Sequence, residues 1–297
     1  MRYADYTVRR DGFCGHLAEP EERGDRAVIV VMGGEQSLLP GRKIAEAFAH
    51  HGIAGLAVSL FGAEGLPAGP DRVPLELFEP AAALLDRLGY ARKAIYGMSM
   101  GSVFALTAAC RYRCFDKVVL VSPTHVPFEG SVDKKRMSGH SVVTADGRDV
   151  PFVPLELGRY KASRYYTDPE TGRRVMGMWL SYRDAYRLPE SMSACLRPEE
   201  AGAELLLVCG DRDEAWPSSY SVEVLHERMA AAGKQARKLV CPGAGHLLGV
   251  MPLREKNAWL YRAIPLIGLM YRNFRDDRSA CLAALETSQR EILAFLR

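Results

Sequence analysis

The sequence predicts an α/β fold with a mostly parallel central sheet and helices on both of its faces. Short apolar runs alternate with longer helical patterns, and several of these runs are continuously apolar. A Gly-x-Ser-x-Gly sequence also lies where one run passes into a helical pattern. A continuously apolar run is typical of a parallel strand that is covered on both faces. Ligand sites in such sheets lie at the carboxyl ends of the strands.

Strands and helices are predicted in alternation along the chain. Short apolar runs predict strands at 27–32, 56–58, 94–96, 118–121, 205–209 and 238–241. Apolar residues at helical spacing predict helices at 42–51, 75–88, 102–112, 219–232 and 279–297. This order favours strand–helix–strand units, which build a parallel sheet.

Residues 123–200 interrupt this alternation. They are rich in Pro, Gly, Tyr and Arg and show no strong strand period. A segment of this length without a regular pattern is typical of an active-site cover or of an insertion with helices of its own. We therefore predict a single domain over 1–297 with a lid or cap insertion at 123–200. The alternative is an insertion without a functional role.

Composition and charge exclude several classes of protein. The chain has 297 residues, of which 48% are hydrophobic and 25% charged, and a net charge of +3. So small a charge does not indicate nucleic acid or an anionic membrane as a partner. The first residues lack the apolar core of a signal peptide, and no run approaches the ~18 residues of a membrane span. Seven irregularly spaced cysteines predict reduced thiols and a cytoplasmic protein.

The segment 97–101 reads Gly-Met-Ser-Met-Gly and joins a predicted strand to a predicted helix. A serine in such a tight turn has its hydroxyl lifted out of the sheet, and its neighbours must be small because a Cβ would clash. The N–H groups and the positive dipole end of the following helix face the place where an oxyanion would form. The segment therefore predicts a nucleophilic Ser99. The alternative is a glycine-rich turn that happens to contain a serine.

A nucleophilic serine needs a base that accepts its proton and an acid that orients the base. With a serine on such a turn, the acid and then the histidine follow downstream. Asp213 comes after the fifth predicted strand in a Gly-x-x-Asp turn, and His246 follows the last strand in a Gly-Ala-Gly-His sequence. Asp211 and Glu214 are alternative acids, although Asp211 is expected to bind turn amides. We predict a triad of Ser99, Asp213 and His246.

The remaining site residues are predicted from their places beside the triad. The N–H of Met100, after the nucleophile, is the first expected oxyanion donor, and Gly34 or Glu35, in the loop after the first predicted strand, is the second. Trp216 is predicted to line the substrate pocket, and a place in the core is its alternative. His125 follows a strand and is a further candidate for the pocket. This chemistry needs no metal and no organic cofactor.

Five pieces of the chain resemble the catalytic C-terminal domain of acyl-CoA thioesterases and bile acid-CoA:amino acid N-acyltransferases, a family of α/β-hydrolases. They are Val-Met-Gly-Gly at 31–34, Pro-Leu-Glu-Leu-Phe-Glu at 74–79, the segment 97–101, Gly-x-x-Asp-x-x-Trp at 210–216 and Pro-Gly-Ala-Gly-His at 242–246. The last two pieces together are the most specific to this family. The resemblance extends from about residue 27 to the C-terminus and implies the α/β-hydrolase fold.

The resemblance also implies an activity, the cleavage of an acyl-CoA thioester through an acyl-enzyme on Ser99. The family's amino-acid acyltransferases use a cysteine nucleophile, so the serine favours hydrolysis by water. Larger members carry an N-terminal β-sandwich, for which too few residues precede the first predicted strand. A simple carboxylester or another thioester is therefore an alternative substrate.

Other readings of the sequence remain open beside a thioesterase. Acyl transfer to an amine or an alcohol is one alternative, and a binding protein without catalysis is another. The segment 134–136, Lys-Lys-Arg, is the one tight basic cluster in the predicted insertion that could bind a CoA phosphate. A solvated surface is the alternative interpretation of that cluster.

Overall fold

The computed structural model describes residues 1–132, 136–156, 158–253, 257 and 269–297. Within them the strands are β1 (Arg2–Tyr6), β2 (Gly15–Glu19), β3 (Arg26–Val31), β4 (Ala54–Val58), β5 (Val73–Pro74), β6 (Arg92–Met98), β7 (Lys117–Val121), β8 (Glu129–Ser131), β9 (Met137–Ser141), β10 (Val143–Ala145), β11 (Arg148–Asp149), β12 (Tyr165–Thr167), β13 (Arg174–Met176), β14 (Glu204–Gly210) and β15 (Ala236–Cys241). The helices are α1 (Val8–Asp11), α2 (Leu39–His50), α3 (Phe78–Arg87), α4 (Gly101–Tyr112), α5 (Gly177–Ala185), α6 (Glu190–Ala194), α7 (Ser218–Ala231), α8 (Arg272–Asp276) and α9 (Arg278–Leu296). Short 3₁₀ turns occur at Leu75–Leu77 and Pro198–Glu200.

The main sheet has the strand order β1-β2-β4-β3-β6-β7-β14-β15 in the described part of the chain. The six strands from β4 to β15 in this order are parallel to their neighbours, which confirms the predicted sheet. The first two strands form an antiparallel hairpin that pairs with β4. The sequence did not predict this hairpin, because β1 is largely exposed and its polar sequence shows no apolar run.

Both faces of the sheet are covered, which explains the continuously apolar runs. Ile29 and Ile95 pack on one face against Phe104 of α4. Their strand neighbours Val28 and Tyr96 point to the opposite face and pack with α2 and α9. Successive residues of a strand alternate between faces, so a strand buried on both sides must be apolar at every position.

The predicted helices all occur, with ends that shift by up to three residues. The helix predicted at 42–51 begins earlier, at Leu39, with Pro40 in its first turn. A proline is tolerated there because the first helical N–H groups have no partner within the helix. The segment 75–88 divides into a 3₁₀ turn followed by α3.

The segment 123–200 carries more regular structure than the sequence indicated. It holds β8 to β13 and helices α5 and α6, and its strands pair in small sheets, one of which includes β5. These strands are two to five residues long, too short for a period of two to be visible in the sequence. The segment leaves the main sheet after β7 and returns at β14. Lys134 and Lys135, the first two residues of the basic cluster, lie outside the described residues.

The chain order creates a crevice at the carboxyl ends of the parallel strands. From β3 the chain passes through α2 to β4 on one side and then crosses to β6 on the other side. Between β3 and β6 the order in which strands are added to the sheet changes direction. Sheets of this kind bind ligands at such a point. The ends of β3, β6, β14 and β15 lie along the same edge. None of the described helices is both long and apolar enough to cross a bilayer.

Candidate active site

Ser99 lies in a strained turn between β6 and α4. Its φ of +56° places it in the left-handed region, which is costly for a residue with a side chain. The N–H of Ser99 donates to the Val121 carbonyl at 2.9 Å, and the Ser99 carbonyl accepts from the N–H of Ser102 at 2.9 Å. The turn is therefore tied to the neighbouring strand on one side and to the helix on the other. This connection holds the strained serine in place.

The structure brings the three predicted triad residues together. The Nε2 atom of His246 lies 2.9 Å from Ser99 Oγ, and its Nδ1 atom lies 2.9 Å from Asp213 Oδ2. The carboxylate can only accept, so Nδ1 carries the proton and Nε2 is the acceptor for the serine hydroxyl. His246 is 5% exposed and Asp213 is 2% exposed. The imidazole is thus placed to accept a proton from the serine hydroxyl, and a buried carboxylate orients its ring.

The buried carboxylate of Asp213 is fully hydrogen-bonded. Oδ1 accepts from the N–H groups of Ala215 at 2.9 Å and Trp216 at 3.3 Å, and Oδ2 accepts from the Ser218 hydroxyl at 2.6 Å besides His246. These donors compensate the cost of burying the charge and fix the direction of the acid. Ser218 could not be predicted from the sequence, because a serine at the start of a helix carries no signal of such a contact.

Asp211, one of the two alternative acids, has a separate role. Asp211 Oδ1 accepts a hydrogen bond of 2.7 Å from the N–H of Gly243, in the turn that follows β15. It binds a turn amide, as expected from its place beside the strand. The same loop is held at His246, whose carbonyl accepts from the Ser122 hydroxyl at 2.7 Å.

Two aromatic rings enclose the imidazole of His246. Trp216 meets it edge-to-face, with ring centroids 5.2 Å apart, and Tyr271 stacks on it with centroids 6.1 Å apart. The indole N–H of Trp216 donates to the Ser122 carbonyl at 2.9 Å, and the residue is 3% exposed. The structure therefore places Trp216 in the packed interior behind the histidine, and its role as a substrate contact stays a prediction. Tyr271 had no signal in the sequence, since it lies in no motif.

His125 is buried beside α7 and α5. Its Nδ1 atom lies 3.0 Å from the Ser221 hydroxyl, and its ring meets that of Tyr186 edge-to-face at 4.4 Å. Burial lowers the pKa of His125 to about 4. These contacts are those of a neutral interior histidine, and the proposed pocket-lining role of His125 stays a prediction.

The depressed pKa of His125 predicts a loss of stability in acid. The unfolded chain takes up a proton near pH 6.5 and the folded chain only near pH 4, so the stabilising contribution is complete above pH 6.5 and is lost as the pH falls toward 4. We expect this residue to reduce the free energy of unfolding by about 2 kcal/mol between pH 7.5 and pH 5. Urea unfolding of wild type and His125→Gln at both pH values measures it. Equal losses in the two proteins would contradict the prediction.

The loop after β3 lies against the serine. A Cβ added at Gly33 would be 3.2 Å from Ser99 Oγ, so only a glycine leaves this space open to a reacting group. Among the residues that the structure describes, the N–H groups of Met100, Gly34 and Glu35 donate no hydrogen bond. All three stay predicted oxyanion donors, and the choice between Gly34 and Glu35 stays open.

An apolar cavity of about 250 Å³ adjoins the site. It is lined by residues that flank the reactive groups, namely Met32, Glu35, Met98, Leu247 and Leu248, and by residues farther along the chain, among them Leu39, Ile44, Val250, Phe274 and Leu285. The cavity could not be predicted from the sequence, because its walls come from separate segments. Within the described ranges, no three His, Cys, Asp or Glu side chains are placed to hold a metal ion.

Comparison with known proteins gives matches of family and of fold. A family model described as BAAT / Acyl-CoA thioester hydrolase C terminal matches residues 73–257. Acyl-coenzyme A thioesterase 6 of Homo sapiens is 25% identical over 236 residues, which cover 77% of this chain and 50% of that protein. Bile acid-CoA:amino acid N-acyltransferase of Homo sapiens is 27% identical over 255 residues, or 81% of this chain and 53% of that protein. The chain thus spans about half the length of these curated relatives.

A solved structure from Klebsiella pneumoniae subsp. pneumoniae, provisionally assigned as a dienelactone hydrolase, superposes with a TM-score of 0.51 at 16% identity. The alignment covers 88% of this chain and 96% of that one. At this identity the likeness concerns the fold alone. It confirms the predicted α/β-hydrolase fold.

Proposed function

The chain belongs to the BAAT / acyl-CoA thioester hydrolase C-terminal family, and from this premise we propose that it is a serine hydrolase that cleaves an acyl thioester or ester. The observation that carries the proposal is the continuous hydrogen-bonded series from Asp213 through His246 to Ser99. Relatives of this chain are named as thioesterases and acyltransferases of coenzyme A thioesters. An acyl-CoA is therefore the first proposed substrate.

Acylation follows from the atoms that meet at the serine. His246 Nε2 accepts the Ser99 proton while Oγ attacks the carbonyl carbon. The resulting oxyanion is stabilised by the N–H of Met100 and by that of Gly34 or Glu35. The imidazolium then donates its proton to the leaving sulfur or oxygen as the bond to carbon breaks. Asp213 keeps the proton on Nδ1 and stabilises the imidazolium throughout.

Deacylation repeats these steps with water. His246 Nε2 accepts a proton from a water molecule whose oxygen attacks the acyl carbon. The second oxyanion occupies the same N–H donors. Its collapse breaks the bond to Ser99 Oγ, which regains the proton from His246, and the free acid leaves. The balance of atoms is one water consumed for each thioester or ester cleaved.

The apolar cavity beside the site is the proposed place for the acyl chain. Its walls start at Met98 and Leu247, the neighbours of the nucleophile and of the base, and extend to Ile44 of α2. Burial of each methylene group contributes about 0.8 kcal/mol, which corresponds to roughly fourfold in kcat/KM per methylene. Acyl chains that extend into the cavity are therefore expected to react faster than acetyl groups.

Acyl transfer to an amine or an alcohol is the second candidate. It is favoured by the similarity to amino acid N-acyltransferases, among them acyl-coenzyme A amino acid N-acyltransferase 2 of Mus musculus, which is 27% identical over 261 residues. In this reaction the acceptor replaces water in the second half. Product that requires an added amine or alcohol would distinguish transfer from hydrolysis.

The seven free thiols fit a reducing compartment, and we propose that the protein is located in the cytoplasm.

The proposal predicts which substrates turn over. We expect acetyl-, butyryl- and octanoyl-CoA and the p-nitrophenyl esters of the same acids to be cleaved, with kcat/KM rising along each series by about fourfold per methylene until the cavity is filled. Initial rates over this panel measure it. Cleavage of the esters alone would indicate a carboxylesterase. No turnover of either series would contradict the proposal.

A cavity-filling variant provides the matched control for chain length. Ile44 lies 5% exposed in the cavity wall on α2. Ile44→Phe is expected to lower octanoyl turnover relative to acetyl turnover by about fourfold, because the larger side chain takes up roughly the volume of one methylene group. Ile44→Val keeps the space open and is expected to retain the wild-type ratio. An unchanged ratio in Ile44→Phe would place the acyl chain elsewhere.

A further inference from the structure

Glu214 is a buried carboxylate that the proposed mechanism does not use. It follows Asp213 in the chain, is 3% exposed and makes no direct hydrogen bond to His246 in the described part of the chain. Its two oxygens lie 3.0 and 3.1 Å from the backbone N–H of Asn273, at the start of α8. Burial raises the pKa of Glu214. A carboxylate is costly to bury, so the position of Glu214 beside the Asn273 N–H calls for an explanation.

Asn273 connects this carboxylate to the loop that carries the histidine. Its side-chain Nδ2 donates to the Gly243 carbonyl at 2.9 Å. A Cβ added at Gly245 would lie 3.2 Å from the same nitrogen, so the amide packs directly against the loop. This loop lies beyond β15, and the N–H of Arg212 donates to its Ala244 carbonyl at 2.9 Å. The Asn273 side chain adds a second hold on the loop, one residue closer to β15.

The segment before Asn273 also contacts the imidazole. Tyr271 stacks on His246 with an angle of 17° between the rings. The N–H of Arg272, between these two residues, donates to the Tyr165 hydroxyl at 2.8 Å. The start of α8 thus has two contacts with the histidine and its loop. The Tyr271 ring stacks on the imidazole, and the Asn273 side-chain amide binds the loop at Gly243.

Resting on the proposed function, we propose that Glu214 and Asn273 are positioning residues for His246. Asp213 holds the imidazole directly through Nδ1. Glu214 holds the start of α8, and α8 in turn holds the histidine loop and one face of the ring. The two neighbouring carboxylates of the acid turn thereby support the same histidine by separate routes.

Two substitutions at Glu214 separate this role from a general structural one. Glu214→Gln keeps an oxygen acceptor at the same place, whereas Glu214→Ala removes the acceptor of the half-buried Asn273 N–H. A displacement of about 1 Å at a catalytic group can cost 10²-fold in rate. We expect Glu214→Ala to lower kcat and the rate of fluorophosphonate labelling of Ser99 by about 10–100-fold, with KM changed less than about twofold, and Glu214→Gln to stay within about threefold of wild type.

Asn273→Ala is the second variant, in case Glu214→Ala does not fold. This variant keeps the backbone N–H that donates to Glu214 and removes the side-chain hydrogen bond to the Gly243 carbonyl. It is expected to lower the labelling rate by about tenfold at a temperature well below its unfolding midpoint. Wild-type labelling in a folded Asn273→Ala or Glu214→Ala protein would overturn the proposal, and so would equal losses in Glu214→Gln and Glu214→Ala.

A proton resonance supplies a readout that does not depend on activity. The Nδ1 proton of His246, hydrogen-bonded to Asp213, is expected at low field in the ¹H NMR spectrum and is assigned by its loss in His246→Gln. We expect Glu214→Ala to broaden or shift it and Glu214→Gln to preserve it. A wild-type protein that fails to label would overturn the proposed function, and the resonance would still decide the positioning role. An unchanged resonance in Glu214→Ala would overturn that role.

Discussion

Ser99→Ala is expected to lower kcat for thioester and ester hydrolysis by about 10⁴–10⁶-fold and to abolish labelling by a fluorophosphonate. The reason is chemical, since the hydroxyl 2.9 Å from His246 Nε2 is the proposed nucleophile and alanine has no atom to attack with. The backbone donors of the oxyanion remain, so a small residual rate above that of water is expected. Stopped-flow and steady-state assays on the best substrate of the panel measure the loss.

A glycine at the same position tests the strain that the turn stores. Ser99→Gly also lacks the hydroxyl, but glycine adopts the φ of +56° without the steric cost that a side chain imposes. We expect Ser99→Gly to be as inactive as Ser99→Ala and more stable than it by about 1 kcal/mol in urea unfolding. Ser37→Ala, an exposed serine, is the control for labelling. Continued labelling of Ser99→Ala would show that another residue is the nucleophile.

Gly101→Ala is expected to destabilise the protein by about 3 kcal/mol or more. A Cβ at Gly101 would lie 2.3 Å from the Val31 carbonyl oxygen and 2.4 Å from that of Met32. Both atoms are backbone, so β3 and the start of α4 would have to move apart. The same movement would displace the loop after β3 from Ser99, and activity is expected to fall with stability.

Gly158→Ala is the matched control for Gly101→Ala. Among the residues that the structure describes, no heavy atom lies within 4 Å of a Cβ added at Gly158, and the φ of Gly158 lies outside the left-handed region. We expect its free energy of unfolding to stay within about 0.5 kcal/mol of wild type. Urea unfolding of the three proteins measures both effects. Similar stabilities for Gly101→Ala and wild type would show that β3 and α4 can separate at little cost.

The strands and helices of the main sheet could be predicted because their causes are local. A strand that is buried on both faces must be apolar at each position, and 27–32 and 205–209 show this directly. The antiparallel hairpin escaped prediction because its pairing with β4 depends on contacts that no local pattern reports. The short strands of 123–200 escaped because strands of two to five residues are too short to display a period.

The candidate site divides in the same way. Ser99, Asp213 and His246 each follow a strand in a short motif, so their types and places could be read before any geometry was known. Ser218 contacts Asp213, Tyr271 contacts His246, and Glu214 contacts Asn273. Nothing in their sequence neighbourhoods indicates these contacts. Trp216 appears in a motif, yet only its packing shows that the indole lies behind the imidazole.

The sequence by itself determined the class of fold, the order of the parallel strands along the chain and the three residues of the proposed triad. These follow from periodicity, from glycines that a tight turn requires and from residue types that acyl transfer needs. Only the tertiary structure decided that Ser99 and His246, 147 residues apart, meet at 2.9 Å. It alone formed the apolar cavity and the support from Glu214 and Asn273. The physical reason is that distances and cavities arise from the packing of remote segments, which no local pattern encodes.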